Sequence, residues 1–131
     1  ECDVALGNTY YLGKMATNEK NPEQKEWAAA VRIVFPNQDG RGTHVNISGA
    51  AVVKGADHRD DAIRLIEYLA GDDAQAIYAR RNFEYPVKAG VPLLEMVESW
   101  GAFKSDAAFL TKIAEHRTVA SKIMDRVAFD H

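Results

Sequence analysis

The most informative stretch of the chain reads Gly7-Asn8-Thr9-Tyr10-Tyr11-Leu12-Gly13. The apolar alternation just before it predicts a short strand over residues 2–6. Asn8 or Thr9 can cap a helix that starts there, because either side chain can accept a hydrogen bond from an unpaired amide of the first turn. The stretch therefore predicts a strand-to-helix junction, in which Gly13 is expected to weaken the helix.

The rest of the chain has a mixed α/β pattern. β-branched and aromatic residues predict extended segments over residues 31–35, 43–54 and 83–87. A turn-rich loop is expected over residues 36–42. Helices are predicted to begin at Asn21-Pro22, Asp57, Asp72, Pro92 and Ser105, the last being the longest. Gln75, three residues after Asp72, completes the pattern of a capping box.

Length and composition indicate one compact domain. The chain has 131 residues, of which 47% are hydrophobic and 27% are charged. Its formal net charge of -3 leaves no cationic footprint for a phosphate backbone, which argues against nucleic acid as a partner. No apolar run reaches the roughly 20 residues that a bilayer-spanning helix needs.

The first residues of the chain are unusual. They carry neither an initiator Met nor a signal-peptide pattern, and the predicted strand is already under way. The single cysteine, Cys2, cannot form an internal disulfide or a thiolate zinc site. We therefore expect the chain to be the carboxy-terminal part of a longer protein, in which case the missing targeting signal has no meaning.

Tyr10 and Tyr11 are the residues most suited to ligand chemistry. Consecutive side chains of a regular strand point to opposite faces, but at a strand-to-helix junction the backbone turns and both phenol oxygens can converge. The partial positive charge of a helix amino terminus favours the phenolate, and a strongly charged ion deprotonates its own ligands. Hard oxygen anions suit hard cations such as ferric iron. The alternative is that the pair only packs, or lies on the surface with its hydroxyls in water.

The other reactive residues form no recognisable catalytic or metal-binding set. His44, His58, His116 and His131 lack the paired spacing of a metal-binding helix face. Cys2 has no basic partner nearby in sequence, and no serine lies in a Gly-x-Ser-x-Gly elbow. Since no acid–base or nucleophile set can be assembled, we predict that the chain is not an enzyme.

Three further stretches, together with residues 7–13, resemble one protein family. They read Arg32-Ile33-Val34-Phe35-Pro36-Asn37-Gln38, Gly40-Arg41-Gly42-Thr43-His44-Val45-Asn46-Ile47-Ser48-Gly49-Ala50-Ala51 and Glu84-Tyr85-Pro86-Val87. In this order they are similar to the ferric-ion-binding periplasmic proteins, the substrate-binding components of bacterial iron(III) ATP-binding-cassette importers. The similarity continues through Glu67-Tyr68-Leu69 and Gln75 and covers nearly the whole chain.

The resemblance implies that Tyr10 and Tyr11 bind ferric iron, and that Asn8 helps to hold a synergistic anion such as carbonate or phosphate. The family's other ligands lie upstream of the part that this chain matches. The fragment alone is therefore expected to bind iron weakly, or only as a homo-oligomer that completes the site with a second chain. The implied partners are the membrane permease of an iron(III) importer and the missing amino-terminal lobe, and the implied location is the periplasm.

The resemblance also implies the fold class. This is α/β, as part of a type II periplasmic-binding-protein fold with two lobes of mixed sheet flanked by helices, truncated at the amino terminus. Residues 1–35 would be a remnant of the second lobe that carries the tyrosine pair. Residues 36–48 would be the inter-lobe crossing, and residues 49–131 would supply strands and helices that pack on the first lobe.

Two alternative functions stay open. An oxyanion or organic-acid receptor of the same architecture would use the tyrosines as hydrogen-bond donors. A structural or oligomerisation module would instead bury its apolar helices in a partner, and the helix predicted from Ser105 carries a suitable apolar stripe.

Overall fold

The computed structural model describes residues 3–108 and 110–129, and for Leu110 only the backbone. The helices of this part of the chain are α1 (Tyr10–Ala16), α2 (Glu23–Ala30), α3 (Arg59–Leu69), α4 (Asp72–Asn82), α5 (Glu95–Glu98), α6 (Leu110–Glu115) and α7 (Arg117–Arg126). The chain divides into two compact units, Glu1–Val34 with Asn46–Ala102 and Phe35–Val45 with Phe103–His131. The first unit contains α1 to α5, and the second contains α6 and α7.

The first unit is built from helices that meet through small residues. α1 contacts both α2 and α4, and α3 contacts α4. Its buried apolar side chains are Ala28, Ala74, Ala79, Phe83 and Val97. Because most of these side chains are small, close approach of helix backbones supplies much of the packing, and Phe83 is the largest apolar group that the unit buries.

The second unit joins the loop of residues 35–45 to residues 103–106. Thr43 and Ser105 form an isolated parallel bridge, and the rings of Phe35 and Phe103 stack with centroids 4.4 Å apart. The Gln38 side chain donates from Nε2 to the Thr43 hydroxyl at 2.8 Å and accepts from the Lys104 amide at 2.7 Å. The predicted turn-rich loop is thus a hydrogen-bonded structure, and α6 and α7 contact each other in the same unit.

Several helices begin later, or end earlier, than the sequence pattern predicts. The helix expected from Pro92 is only the four residues of α5. The helix expected from Ser105 begins at Leu110, and His116 separates α6 from α7. The reason lies in the contacts of residues 105–108: Ser105 forms the bridge with the distant Thr43, and the Asp106 carboxylate accepts a hydrogen bond from the Ala108 amide at 2.9 Å.

The capping predictions were wrong in detail. Thr9 occupies the N-cap of α1 but its side chain makes no capping bond, and Gly71 is the N-cap of α4. Gln75 is not part of a capping box. Its buried side chain donates to the Leu69 carbonyl at 2.8 Å and accepts from the Val87 amide at 2.9 Å, so it links the end of α3 to the segment after α4.

The predicted strands form no ladder among residues 3–108 and 110–129, where the Thr43–Ser105 bridge is isolated. A strand is stable only where a neighbour satisfies its backbone amides and carbonyls. Several apolar side chains of these segments are exposed to solvent, with Val4 at 87%, Leu6 at 88%, Val34 at 74% and Val53 at 76%, whereas Phe83 is buried. Cys2, at the start of the first predicted strand, lies outside the described residues.

The apolar stripe predicted for the last helix is present on α7 and is exposed. Val119, Ile123 and Met124 have 56%, 52% and 42% of their surface in solvent. Within the described part of the chain, no helix combines the length and the apolar character that crossing a membrane requires.

Candidate metal site

The two tyrosines lie at the first two positions of α1. The turn forms because the Tyr11 amide donates to the Asn8 carbonyl at 3.2 Å and the Leu12 amide donates to the Thr9 carbonyl at 3.0 Å. Successive residues of a helix are rotated by about 100°, so neighbouring side chains are not forced to opposite faces as they are in a strand. The Tyr10 and Tyr11 rings accordingly lie side by side, with centroids 4.3 Å apart and planes inclined at 42°.

Tyr10 is the more enclosed of the two phenols. Its ring lies under the Lys14 ammonium, which is 4.7 Å from the ring centroid, a cation–π contact between residues one helical turn apart. Tyr11 is 53% exposed. One phenol of the pair is therefore held by neighbours, and the other is open to solvent.

The surroundings raise the pKa of Tyr10 above its ordinary value of 10.0. The largest cause is the side-chain hydrogen bond with Tyr11, followed by partial desolvation and by repulsion from the Tyr11 and Glu84 charges. A hydrogen bond with Asn8 acts in the opposite direction. The expectation that the helix terminus favours the phenolate form of Tyr10 is therefore wrong, because the pKa of Tyr10 is raised and not lowered. Without a ligand, Tyr10 keeps its proton at neutral pH.

The sequence reasoning named Tyr10, Tyr11 and Asn8, and the structure places Asn8 within hydrogen-bonding reach of the Tyr10 phenol. It missed Lys14 and the effect of Glu84. Lys14 was readable as the residue four positions after Tyr10. The effect of Glu84 on the pKa of Tyr10 could not be predicted from the sequence, because it depends on the packing of α1 against the end of α4.

The histidines considered from the sequence do not form a metal site in the described part of the chain. His44, His58 and His116 are exposed, and His131 lies outside the described residues. Among residues 3–108 and 110–129, no three His, Cys, Asp or Glu side chains are grouped so that they could hold a metal ion. The candidate site of this chain is therefore a phenol pair, a donor set suited to a hard cation.

Comparison with known proteins places this chain in a family. Residues 4–107 match the family model described as bacterial extracellular solute-binding protein. The chain belongs to this family. Iron uptake protein A1 of Synechocystis is 49% identical over 129 residues, which are 98% of this chain and 36% of that protein.

Solved structures agree with that assignment. The Bordetella ferric binding protein matches with a TM-score of 0.87 and 45% identity, over 99% of this chain and 41% of that one. The Trichodesmium protein IdiA (FutA), solved with iron and citrate, matches with a TM-score of 0.85 and 45% identity, over 92% of this chain and 38% of that one. The expected periplasmic-binding-protein fold class is confirmed, and the chain spans less than half the length of these proteins.

Proposed function

We propose that this chain supplies Tyr10 and Tyr11 as phenolate ligands to a ferric ion that is delivered to an ATP-binding-cassette importer. The observation that carries the proposal is the adjacency of the two rings at the start of α1, with centroids 4.3 Å apart and one phenol open to solvent. The names of the relatives, an iron uptake protein and a ferric binding protein, support iron as the cargo. The family also supports a periplasmic location.

Proton release accompanies the proposed binding. The metal-free Tyr10 phenol is protonated at neutral pH because its pKa is raised, and a ferric ion replaces the phenol protons of its ligands. Two protons released per ion would weaken the apparent affinity by up to about 100-fold for each pH unit of acidification. Acid would therefore promote release of the iron.

The rest of the site follows from the family architecture. The sequence assigns residues 1–35 to the second lobe, residues 36–48 to the inter-lobe crossing and residues 49–131 to packing on the first lobe. Because α1 contacts α4 and residues 1–34 form one unit with residues 46–102, we instead propose one lobe for α1 to α5. A ferric ion needs more than two ligands, so the remaining donors would come from a first lobe, from a second copy of this chain or from an anion. Asn8 would help to hold that anion, and the citrate of the Trichodesmium complex shows that an iron-bound relative accommodates one.

The test is a titration with ferric citrate followed by visible absorption. We expect a phenolate-to-iron charge-transfer band in the parent chain, and its loss or strong weakening in both Tyr10→Phe and Tyr11→Phe. Tyr68→Phe is a matched control, because Tyr68 is 52% exposed and Tyr11 is 53% exposed. A band that survives unchanged in both site variants would contradict the proposal.

An organic-acid or oxyanion receptor is the second candidate, and the Lys14 ammonium beside the Tyr10 ring favours it. In that case the tyrosines would donate hydrogen bonds and remain protonated. Thermal stabilisation by citrate or phosphate, with no coloured band on addition of iron, would select this function over the first.

A further inference from the structure

We infer that the contact between Gly13 and Phe83 positions the tyrosine helix α1, and that both residues are therefore positioning residues for the iron site. The inference deepens the proposed function of Tyr10 and Tyr11 and rests on it. It assigns to Gly13 a role opposite to the helix-weakening effect that its sequence position predicts.

Helix α1 depends on packing for its stability. It has only seven residues and no side-chain capping bond at its N-cap. Isolated helices shorter than about 12 residues are marginal in water, so contacts with the rest of the unit must fix its orientation. Gly13 is the buried residue of α1, so its contact with Phe83 anchors the helix on one side, while α2 contacts it as well.

The anchoring contact has no room for a side chain at position 13. A Cβ atom built on Gly13 would lie 2.8 Å from both Cβ and Cδ1 of Phe83, and closer still to Cγ. These atoms are the root of the ring and not a flexible end, so the neighbour cannot move aside without shifting backbone. Only glycine therefore permits this distance between α1 and Phe83.

Phe83 is itself held in place. It ends α4 as the C-cap residue, with φ 60° and ψ 32° in the left-handed region, and only 7% of its surface is exposed. A non-glycine residue persists in that region when its surroundings fix it. The ring thus presents a fixed surface to α1 and is not a loose side chain that follows the helix.

The anchor bears directly on the tyrosine pair. Gly13 lies three residues after Tyr10 and so on the same face of α1. Glu84, the residue after Phe83, is close enough to Tyr10 for its charge to act on the phenol. A shift of α1 at Gly13 would consequently move the Tyr10 phenol relative to Glu84 and change the geometry offered to an ion.

Four variants of the 131-residue chain test this role: Gly13→Ala, Phe83→Ala, the double variant and Phe83→Leu. Gly7→Ala is the control, because Gly7 also lies three residues from Tyr10 but a Cβ there would meet nothing within 4 Å. Two readouts are used: hydrogen exchange of the α1 amides relative to those of α3, and the charge-transfer band during titration with ferric citrate. The first readout needs no iron, so it remains informative if the proposed function fails.

We expect Gly13→Ala and Phe83→Ala each to raise the hydrogen-exchange rate of the α1 amides at least tenfold relative to the α3 amides. Each should also shift or weaken the charge-transfer band. Phe83→Leu and Gly7→Ala should resemble the parent. The double variant should be no worse than Phe83→Ala alone, because the added methyl group no longer meets a ring. If Gly13→Ala fails to fold, Phe83→Ala against Phe83→Leu carries the same comparison.

Three results would overturn the inference. In the first, the α1 amides of Gly13→Ala exchange no faster than those of Gly7→Ala. In the second, the increases in exchange rate caused by Gly13→Ala and Phe83→Ala add fully in the double variant. In the third, α1 exchange rises in a variant whose charge-transfer band is the same as that of the parent. A parent that shows no band, either alone or within the full-length protein that supplies the first lobe, would defeat the ferric proposal separately. In that case the positional role of Gly13 and Phe83 would be decided by α1 exchange alone.

Discussion

Two polar clusters of this chain differ in what their polar groups contact. The Gln38 cluster, in the second unit, consists of Gln38, Thr43, Lys104 and Asp106. Its side chains are committed largely to backbone groups, as when the Thr43 hydroxyl donates to the Pro36 carbonyl at 2.7 Å. The tyrosine cluster, in the first unit, consists of Asn8, Tyr10, Tyr11 and Lys14, and its side chains contact mainly one another.

The difference separates a structural cluster from one that is available to a ligand. Backbone groups left without partners destabilise a fold, so a side chain that satisfies them is part of the structure. In the contacts described above, the two phenols bond to side chains and not to backbone amides or carbonyls. A cation can replace a phenol proton. Disturbing the Gln38 cluster should therefore change stability, whereas disturbing the tyrosine cluster should change ligand chemistry.

The largest effect on the Gln38 cluster is expected from Gly42→Ala. Gly42 has φ +98°, and a Cβ there would lie 2.7 Å from the Lys104 carbonyl oxygen. Strain and overlap together should lower the free energy of unfolding by about 3 kcal/mol in urea denaturation. Gly55→Ala isolates the strain, because Gly55 has φ +80° with nothing within 4 Å, and it should cost about 1 kcal/mol. Equal losses in the two variants would mean that the loop does not approach Lys104 this closely.

A comparison of two glutamines should give smaller effects. Gln75 and Gln38 each bond to backbone groups outside their own turn, but Gln75 is buried and Gln38 is exposed. Gln75→Ala should lower the free energy of unfolding by about 2 kcal/mol, because it removes a buried side chain that bonds to the Leu69 carbonyl and to the Val87 amide. Gln38→Ala should cost about 1 kcal/mol, since water can replace its bonds. A larger loss of stability in Gln38→Ala than in Gln75→Ala would mean that Gln75 does not link α3 to the segment after α4.

The sequence predicted local features well and long-range contacts poorly. The approximate starts of α1 and α2, the end of α3 near Gly71 and the adjacency of the tyrosines agree with local residue patterns and helical rotation, although neither α1 nor α2 has a side-chain capping bond. The segments predicted as strands form no ladder in the described residues, because a strand depends on a partner that no local pattern specifies.

The roles of Gln38, Gly13 and Glu84 were equally unreadable for the same reason. Each depends on a residue far away in sequence: Lys104, Phe83 and Tyr10 respectively. The candidate site itself could be named from the sequence because its two phenols are consecutive and the surrounding stretches resemble a ferric-ion-binding family. Its supporting contacts could not, because they come from the end of α4.

The smallest effect on stability is expected at the tyrosine cluster. Tyr11→Phe should change the free energy of unfolding by less than about 0.5 kcal/mol near neutral pH, because Tyr11 is half exposed. Its effect should appear instead in the pKa of Tyr10, followed by NMR of Cζ-labelled tyrosine. Loss of the Tyr11 hydrogen bond removes the largest cause of the raised pKa, so the Tyr10 pKa should fall toward 10.0.

Asn8→Ala should move the Tyr10 pKa in the opposite direction, because the Asn8 hydrogen bond lowers it, and Tyr68→Phe should leave it unchanged. The sign has a consequence for stability at alkaline pH. A raised pKa in the folded state means that the contribution of Tyr10 is complete below pH 10 and is lost as the pH rises through the folded value. Tyr11→Phe should therefore flatten the alkaline loss of stability. A Tyr10 pKa that does not respond to Tyr11→Phe would mean that the two phenols are not bonded to each other, and the tyrosine cluster would then lose its distinction from two independent surface tyrosines.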